Sequence, residues 1–174
     1  MNHPTPPLIG ILMGSDTDWP LMRQAAALLA EFAIPYEIEI TSAHRSPRRT
    51  AEYAATAADR GLRVIIVGAG AAAALGGAVA AETTLPVIGV PLATSPLSGF
   101  DALLSLAMMP AGVPVATMAV GEAGARNAAV LAAQILAGSD AALAARLRAY
   151  KEKLARGVEE KNRRLQTELA GRDS

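Results

Sequence analysis

Short apolar runs alternating with helical segments of ten or more residues predict an α/β fold, with a mostly parallel sheet covered by helices on both faces. Two other observations agree. The first run, residues 8–13, is apolar from end to end, as a strand buried on both faces must be. The chain of 174 residues, 52% apolar and 18% charged, fits one domain around a single core.

The elements follow in order. Leu8 to Met13 forms the first strand, ended by Gly14-Ser15. Asp16, Thr17 and Asp18 are N-cap residue types, and Trp19 to Ala33 has helical composition. Ile34-Pro35 breaks that helix. Tyr36 to Thr41 (YEIEIT) alternates apolar with polar residues, which places this strand nearer a sheet edge. Ser46-Pro47 opens a second helix that runs toward Gly61, with proline suited to the first turn. Val64 to Val67 is the third strand, followed by a glycine loop and a helix over Ala71–Ala81. Pro86 precedes the fourth strand, Val87 to Val90. A helix over Ser98–Met108, a fifth strand over Val113–Val120 and a helix over Ala123–Ala137 complete the domain, with Gly138 as the stop.

Beyond Asp140 the character changes. Leu143, Leu147, Tyr150, Leu154, Val158, Leu165 and Leu169 recur at steps of three and four among many Lys, Arg and Glu. This is one long amphipathic helix or two shorter ones, with Gly157 the weak point. It either packs on its own domain or extends as an arm to a neighbouring subunit. The predicted organisation is a loose proline-rich tail over residues 1–7, a domain over 8–138 and a helical extension over 139–170.

Composition excludes several function classes. Sixteen basic and sixteen acidic residues cancel, so the footprint of a nucleic-acid binder is missing. Without cysteine there are no disulfides, thiolate metal sites or cysteine nucleophiles, which fits a cytoplasmic protein. The segment 1–7, which carries His3, lacks the basic and apolar regions of a secretory signal. Val64 to Ala81 runs 18 residues without a charge. Its alanine-rich second half and its glycines read as a buried strand, loop and helix rather than a membrane span.

In open parallel sheets, ligands bind at the carboxyl ends of the strands. After the first strand, Gly14 permits a sharp turn, and the free amides of the next helix favour an anion. Ser15 and Thr17 offer hydroxyls to a phosphate, while Asp16 and Asp18 suit ribose hydroxyls. Simple helix capping explains the same residues. A metal site is not expected from this Asp-x-Asp, because no third carboxylate is clustered with it.

The next loop carries the sharpest signal. His44 directly follows a predicted strand beside Ser42 and Arg45, and it is the one histidine outside the tail. An imidazole, with an ordinary pKa of about 6.5, both gives and takes a proton near neutral pH. A guanidinium fork matches a phosphate. A serine-hydrolase reading of Ser42 and His44 lacks the G-x-S-x-G elbow. Gly68-Ala69-Gly70-Ala71 lacks the third glycine of the dinucleotide fingerprint, so its glycines serve close approach to a ligand or tight strand–helix packing. Ser98 and Asp101, between the fourth strand and its helix, are either site residues or turn formers.

Taken together, the motifs are specific: M-G-S-x-x-D-W (13–19), S-A-H-R-S-P (42–47), V-G-A-G (67–70), L-P-V-I-G-V-P (85–91), L-S-G-x-D-A-L (97–103), M-P-x-G-V-P-V-A-T (109–117) and N-A-A-x-L-A-A-Q-I-L (127–136). The chain resembles the PurE family, the N5-carboxyaminoimidazole ribonucleotide mutases of bacterial purine synthesis, from about Leu8 to Val158. The S-A-H-R form is similar to the mutase class. Related carboxylases that use CO2 directly usually carry lysine there.

The resemblance implies a flavodoxin-like fold and a homo-octamer with active sites at subunit contacts. It also implies a ribonucleotide substrate and chemistry without cofactor or metal. It assigns proton transfer to His44, the phosphate to Arg45 and nucleotide contacts to Ser15 and Asp18. Ser42 and Gly70 line the site, with Gly14, Thr17, Ala71, Ser98 and Asp101 as further candidates.

One segment departs from the family pattern. Where members usually read G-A-G-G-A-A-H-L-P-G, this chain has Ala71, Ala74 and Gly76 in place of the second paired glycine, the histidine and the proline. Three readings follow. The loop is auxiliary to His44, it admits another substrate such as aminoimidazole ribonucleotide with CO2, or the chain binds nucleotide with reduced turnover.

Overall fold

The computed structural model describes residues 6–171. Five strands, β1 (Ile9–Met13), β2 (Tyr36–Ile40), β3 (Val64–Gly70), β4 (Val87–Leu92) and β5 (Ala116–Thr117), form one sheet in the order β2-β1-β3-β4-β5. All four pairings are parallel. The helices are α1 (Trp19–Glu31), α2 (Pro47–Thr56), α3 (Ala74–Glu82), α4 (Phe100–Ala107), α5 (Glu122–Ala137) and α6 (Ala141–Ala170).

Two cores separate the layers. Ile9, Ile11, Val64, Ile66, Ile88 and Val90 point to one face, where Met22, Ala25 and Leu29 of α1 and the alanines of α5 cover them. Leu12, Ile65, Val67 and Val87 point to the other, under Ala54 of α2, Leu75 and Val79 of α3, and Ala102 and Leu106 of α4. Successive strand residues thus feed opposite cores, which is why β1, β3 and β4 are apolar throughout. At Gly68 a β-carbon would meet the Met22 side chain; glycine there lets α1 lie close on β3.

The alternating strand β2 is indeed an edge strand. Among the described residues it pairs only with β1, and it leaves Ile38 and Ile40 partly exposed. At the other edge the expected strand over 113–120 is reduced to two paired residues. Pro114 has no N–H to give a ladder. After Thr117 the chain continues through single bonds, from Met118 N–H to the Gly89 carbonyl and from Gly121 N–H to that of Pro91.

Helices α1 to α4 are all shorter than expected, and in α2 and α3 the backbone gives the reason. Helix α2 gives way to turns before Gly61, whose φ is +95°. Helix α3 begins at Ala74 rather than Ala71, because Ala71 and Ala73 hold left-handed φ values of 49° and 44°. The charge-free stretch 64–81 is β3, this loop and most of α3. No helix among the described residues is long and apolar enough to cross a membrane.

Helix α6 runs unbroken through Gly157, capped by Asp140, whose Oδ1 accepts from the Leu143 amide at 2.9 Å. Its first half packs on the domain. Leu143 is in the core, Tyr150 meets Phe32 edge-on at 5.2 Å, and Lys153 pairs with Glu31 at 3.1 Å. Beyond that, Leu154, Val158, Leu165 and Leu169 are exposed. Residues 1–5 of the predicted tail, with His3, lie outside the described residues.

Candidate active site

At the carboxyl ends of the strands, the loops after β1, β2, β3 and β4 enclose an open cleft of about 440 Å³. Its lining includes Gly14, Ser15, Thr17, Asp18, Ser42, His44, Arg45 and Gly70. Eight residues singled out from the sequence are thereby brought together. Ala71, Ser98 and Asp101 lie outside this lining. Asp101 sits in the first turn of α4, with one buried carboxylate oxygen unpaired among the described residues.

The first loop is built by local hydrogen bonds. Ser15 Oγ accepts from the Thr17 amide at 3.3 Å, and Asp18 Oδ2 accepts from the Ser15 amide at 3.1 Å. This reciprocal box caps a single 3-10 turn, Asp16–Asp18, that leads into α1. Capping and ligand contact are therefore compatible roles for Ser15. Asp18 is only 6% exposed. Burial raises its pKa, against the lowering effect of the Ser15 and Gly14 amides and of Arg45.

The second loop rests on a cluster of hydroxyls that sequence reasoning missed. Ser46 Oγ accepts from the Ser42 amide at 2.9 Å and donates to the Ser42 carbonyl at 3.2 Å. Beneath it, buried Thr41 and Thr50 join their hydroxyls at 2.8 Å. These bonds fix the turn that carries His44. The imidazole is exposed on the cleft and hydrogen-bonds to no described residue. Arg45 ties the two loops together, since its Nη2 donates to the Gly14 carbonyl at 2.8 Å and its amide to Ser42 Oγ at 3.2 Å.

The third wall is apolar: Ala69, Ala73, Ala74 and Leu75. The left-handed alanines at 71 and 73 cost about 1–2 kcal/mol each relative to a right-handed backbone. Ala71→Gly is expected to stabilise the protein by about 0.5–1 kcal/mol, raising Tm by about 1–4 °C. A lower Tm in a thermal melt would contradict this account of the loop.

A larger cavity of about 710 Å³ lies at the opposite end of the sheet, against Leu8, Leu62, Pro86 and Leu143. It holds no histidine, and its Asp140 is committed to capping α6. The imidazole, the Arg45 guanidinium and the Asp18 carboxylate line the smaller cleft instead. Among the described residues no three histidine or carboxylate side chains converge as a metal site.

A parallel sheet between two helical layers, with hydroxyls, a carboxylate, an imidazole and a guanidinium in a cleft at its carboxyl end, defines an α/β protein of the class that takes ligands at its strand ends. Sequence comparison gives the particular family. Residues 8–157 match the model of the AIR carboxylase family. The chain is 54% identical over 166 residues to the N5-carboxyaminoimidazole ribonucleotide mutase of Mycobacterium tuberculosis H37Rv, covering 95% of this chain and 94% of that one. It is 52% identical over 160 residues to the mutase of that name from Pyrococcus horikoshii, covering 92% and 89%. The crystal structure of Treponema denticola PurE superposes with a TM-score of 0.79 at 32% identity, covering 91% of this chain and 98% of that one. The chain belongs to the PurE/AIR carboxylase family.

Proposed function

We propose that this protein is an N5-carboxyaminoimidazole ribonucleotide mutase, converting that compound to 4-carboxyaminoimidazole ribonucleotide in purine synthesis. The observation that carries the proposal is the convergence of His44, Ser42, Arg45, Ser15 and Asp18 on one cleft, in a chain more than half identical to curated mutases.

In this reading Arg45 anchors the phosphate as a planar donor, and Ser15 and Asp18 hold the ribose side. His44 as acid protonates the carbamate nitrogen. The N–C bond then breaks with its electron pair going to nitrogen, and CO2 leaves as a neutral molecule. Held beside the ring, CO2 is attacked by C4, and a new C–C bond and carboxylate form. Neutral His44 takes the C4 proton and the ring regains aromaticity. The substrate provides both nucleophile and carboxyl group, so no cofactor or metal is required.

We further propose a cytoplasmic homo-oligomer, the octamer that the family resemblance implies. Exposed Leu97, Phe100, Leu104 and Met108 around α4 and the outer half of α6 support self-association. Of the extension 139–170, the first half packs on its own domain and the exposed outer half then serves as the arm on a neighbouring subunit, while Ala71, Ser98 and Asp101 stay candidates for a site completed there.

The test is a coupled assay of purified protein supplied with N5-carboxyaminoimidazole ribonucleotide, followed by its ultraviolet spectrum. Conversion is expected; none would overturn the proposal. Direct carboxylation of aminoimidazole ribonucleotide by CO2 is the second reading, favoured by Ala74 on the cleft wall, and the same assay with that substrate and bicarbonate tests it. Ala74→His is expected to leave mutase turnover unchanged or raise it. A large loss would mean that the wall is built around another ligand.

A further inference from the structure

The polar side chains of the cleft are unevenly placed. Ser15, Thr17, Asp18, Ser42, His44 and Arg45 all belong to the loops after β1 and β2. On the facing wall, from β3 onward, the residues are alanine, glycine and leucine, with Thr94 as the exception. The β3–β4 register sets Gly70 opposite Leu92, which carries Thr94 to the strand end beside Gly70. The approach is so close that a β-carbon at Gly70 would collide with the Thr94 hydroxyl. Thr94 is exposed, and its side chain has no hydrogen-bond partner among the described residues.

We infer that Thr94 is a further substrate-binding residue, its hydroxyl donating to the carboxyl group that the reaction moves. The inference rests on the mutase reading. The carboxyl group is anionic on nitrogen at the start and on C4 at the end, and it passes through neutral CO2 between the two. A guanidinium on that wall would favour both anions strongly and hold back release of CO2, since binding that is stronger in the ground state slows the step. A lone neutral hydroxyl among methyl groups gives direction to a carboxylate oxygen with a weaker hold, and the apolar surface around it suits CO2. Glycine at 70 is what lets this hydroxyl stand at the cleft. Phosphate binding stays with Arg45 on the other wall.

Calorimetric titration of the full chain with two ribonucleotides separates these roles. 4-Carboxyaminoimidazole ribonucleotide carries the carboxyl group and aminoimidazole ribonucleotide lacks it. Thr94→Val, which keeps the branched shape and loses the hydroxyl, is expected to weaken the carboxylated ligand by about tenfold or more. Its affinity for the uncarboxylated ligand should stay within about twofold, and Thr94→Ser should restore most of the loss. Equal weakening of both ligands, unchanged affinity for both, or a serine variant as weak as the valine one would overturn the inference. If the wild-type chain neither binds these ligands nor turns over N5-carboxyaminoimidazole ribonucleotide, the mutase reading itself has failed, and that outcome is distinct from the others.

Discussion

His44→Asn is expected to lower turnover of N5-carboxyaminoimidazole ribonucleotide by about 10²- to 10⁴-fold, the usual contribution of a positioned acid–base group. Ligand affinity should stay within about tenfold, roughly 1.4 kcal/mol. The basis is structural. The imidazole is exposed on the cleft and hydrogen-bonds to no described residue, while the turn beneath it is fixed by Ser46, Thr41 and Thr50. Asparagine keeps polarity and fits the turn but cannot accept and return a proton near neutral pH. Steady-state rates combined with calorimetry separate the two quantities. Near-normal turnover in the variant would remove His44 from the mechanism.

The second large effect is expected at Arg45. Arg45→Ala should raise the dissociation constant for the ribonucleotide by about 100-fold, because charge-assisted contacts to a phosphate contribute about 1.5–3 kcal/mol. The bond from Arg45 to the Gly14 carbonyl is lost as well, so the first loop should loosen and turnover should fall. Arg45→Lys should recover only part of the affinity, since an ammonium lacks the fork that spans two acceptors. Calorimetry with the nucleotide and with its dephosphorylated nucleoside is the direct check. If alanine weakens both equally, the guanidinium does not read the phosphate.

Much of this was legible in the chain, for identifiable reasons. The strands β1, β3 and β4 announce themselves as unbroken apolar runs because both faces of the sheet are covered. The edge position of β2 was legible in the two glutamates of Tyr36-Glu37-Ile38-Glu39-Ile40, which a strand buried on both faces would not carry, although it is Ile38 and Ile40 that lie on its more exposed side. The short ladder of β5 was not. Val113 to Val120 has strand composition, but whether a strand finds partners depends on where Pro114 falls against β4, which is a tertiary fact.

The site divided along the same line. His44, Ser42 and Arg45 stood out by residue type and by their place after a strand. The Thr41–Thr50 hydroxyl contact did not, because it joins a strand end to a helix across nine positions and leaves no local pattern. Thr94 falls in the same class: its importance comes from the register of β3 on β4. The left-handed backbone at Ala71 and Ala73 was hidden too, since alanine favours the right-handed helix and does not mark such a turn.

The outer half of α6 has a thermodynamic consequence. From Leu154 to Ala170 the helix projects about 25 Å, with Leu154, Val158, Leu165 and Leu169 exposed along it. This half therefore lacks the tertiary packing of an apolar face that supplies most helical stability in proteins. In the proposed homo-oligomer, helix–coil equilibrium in this stretch is coupled to the neighbouring copy that covers its leucines, and dilution is expected to melt the end of the chain while the sheet stays intact.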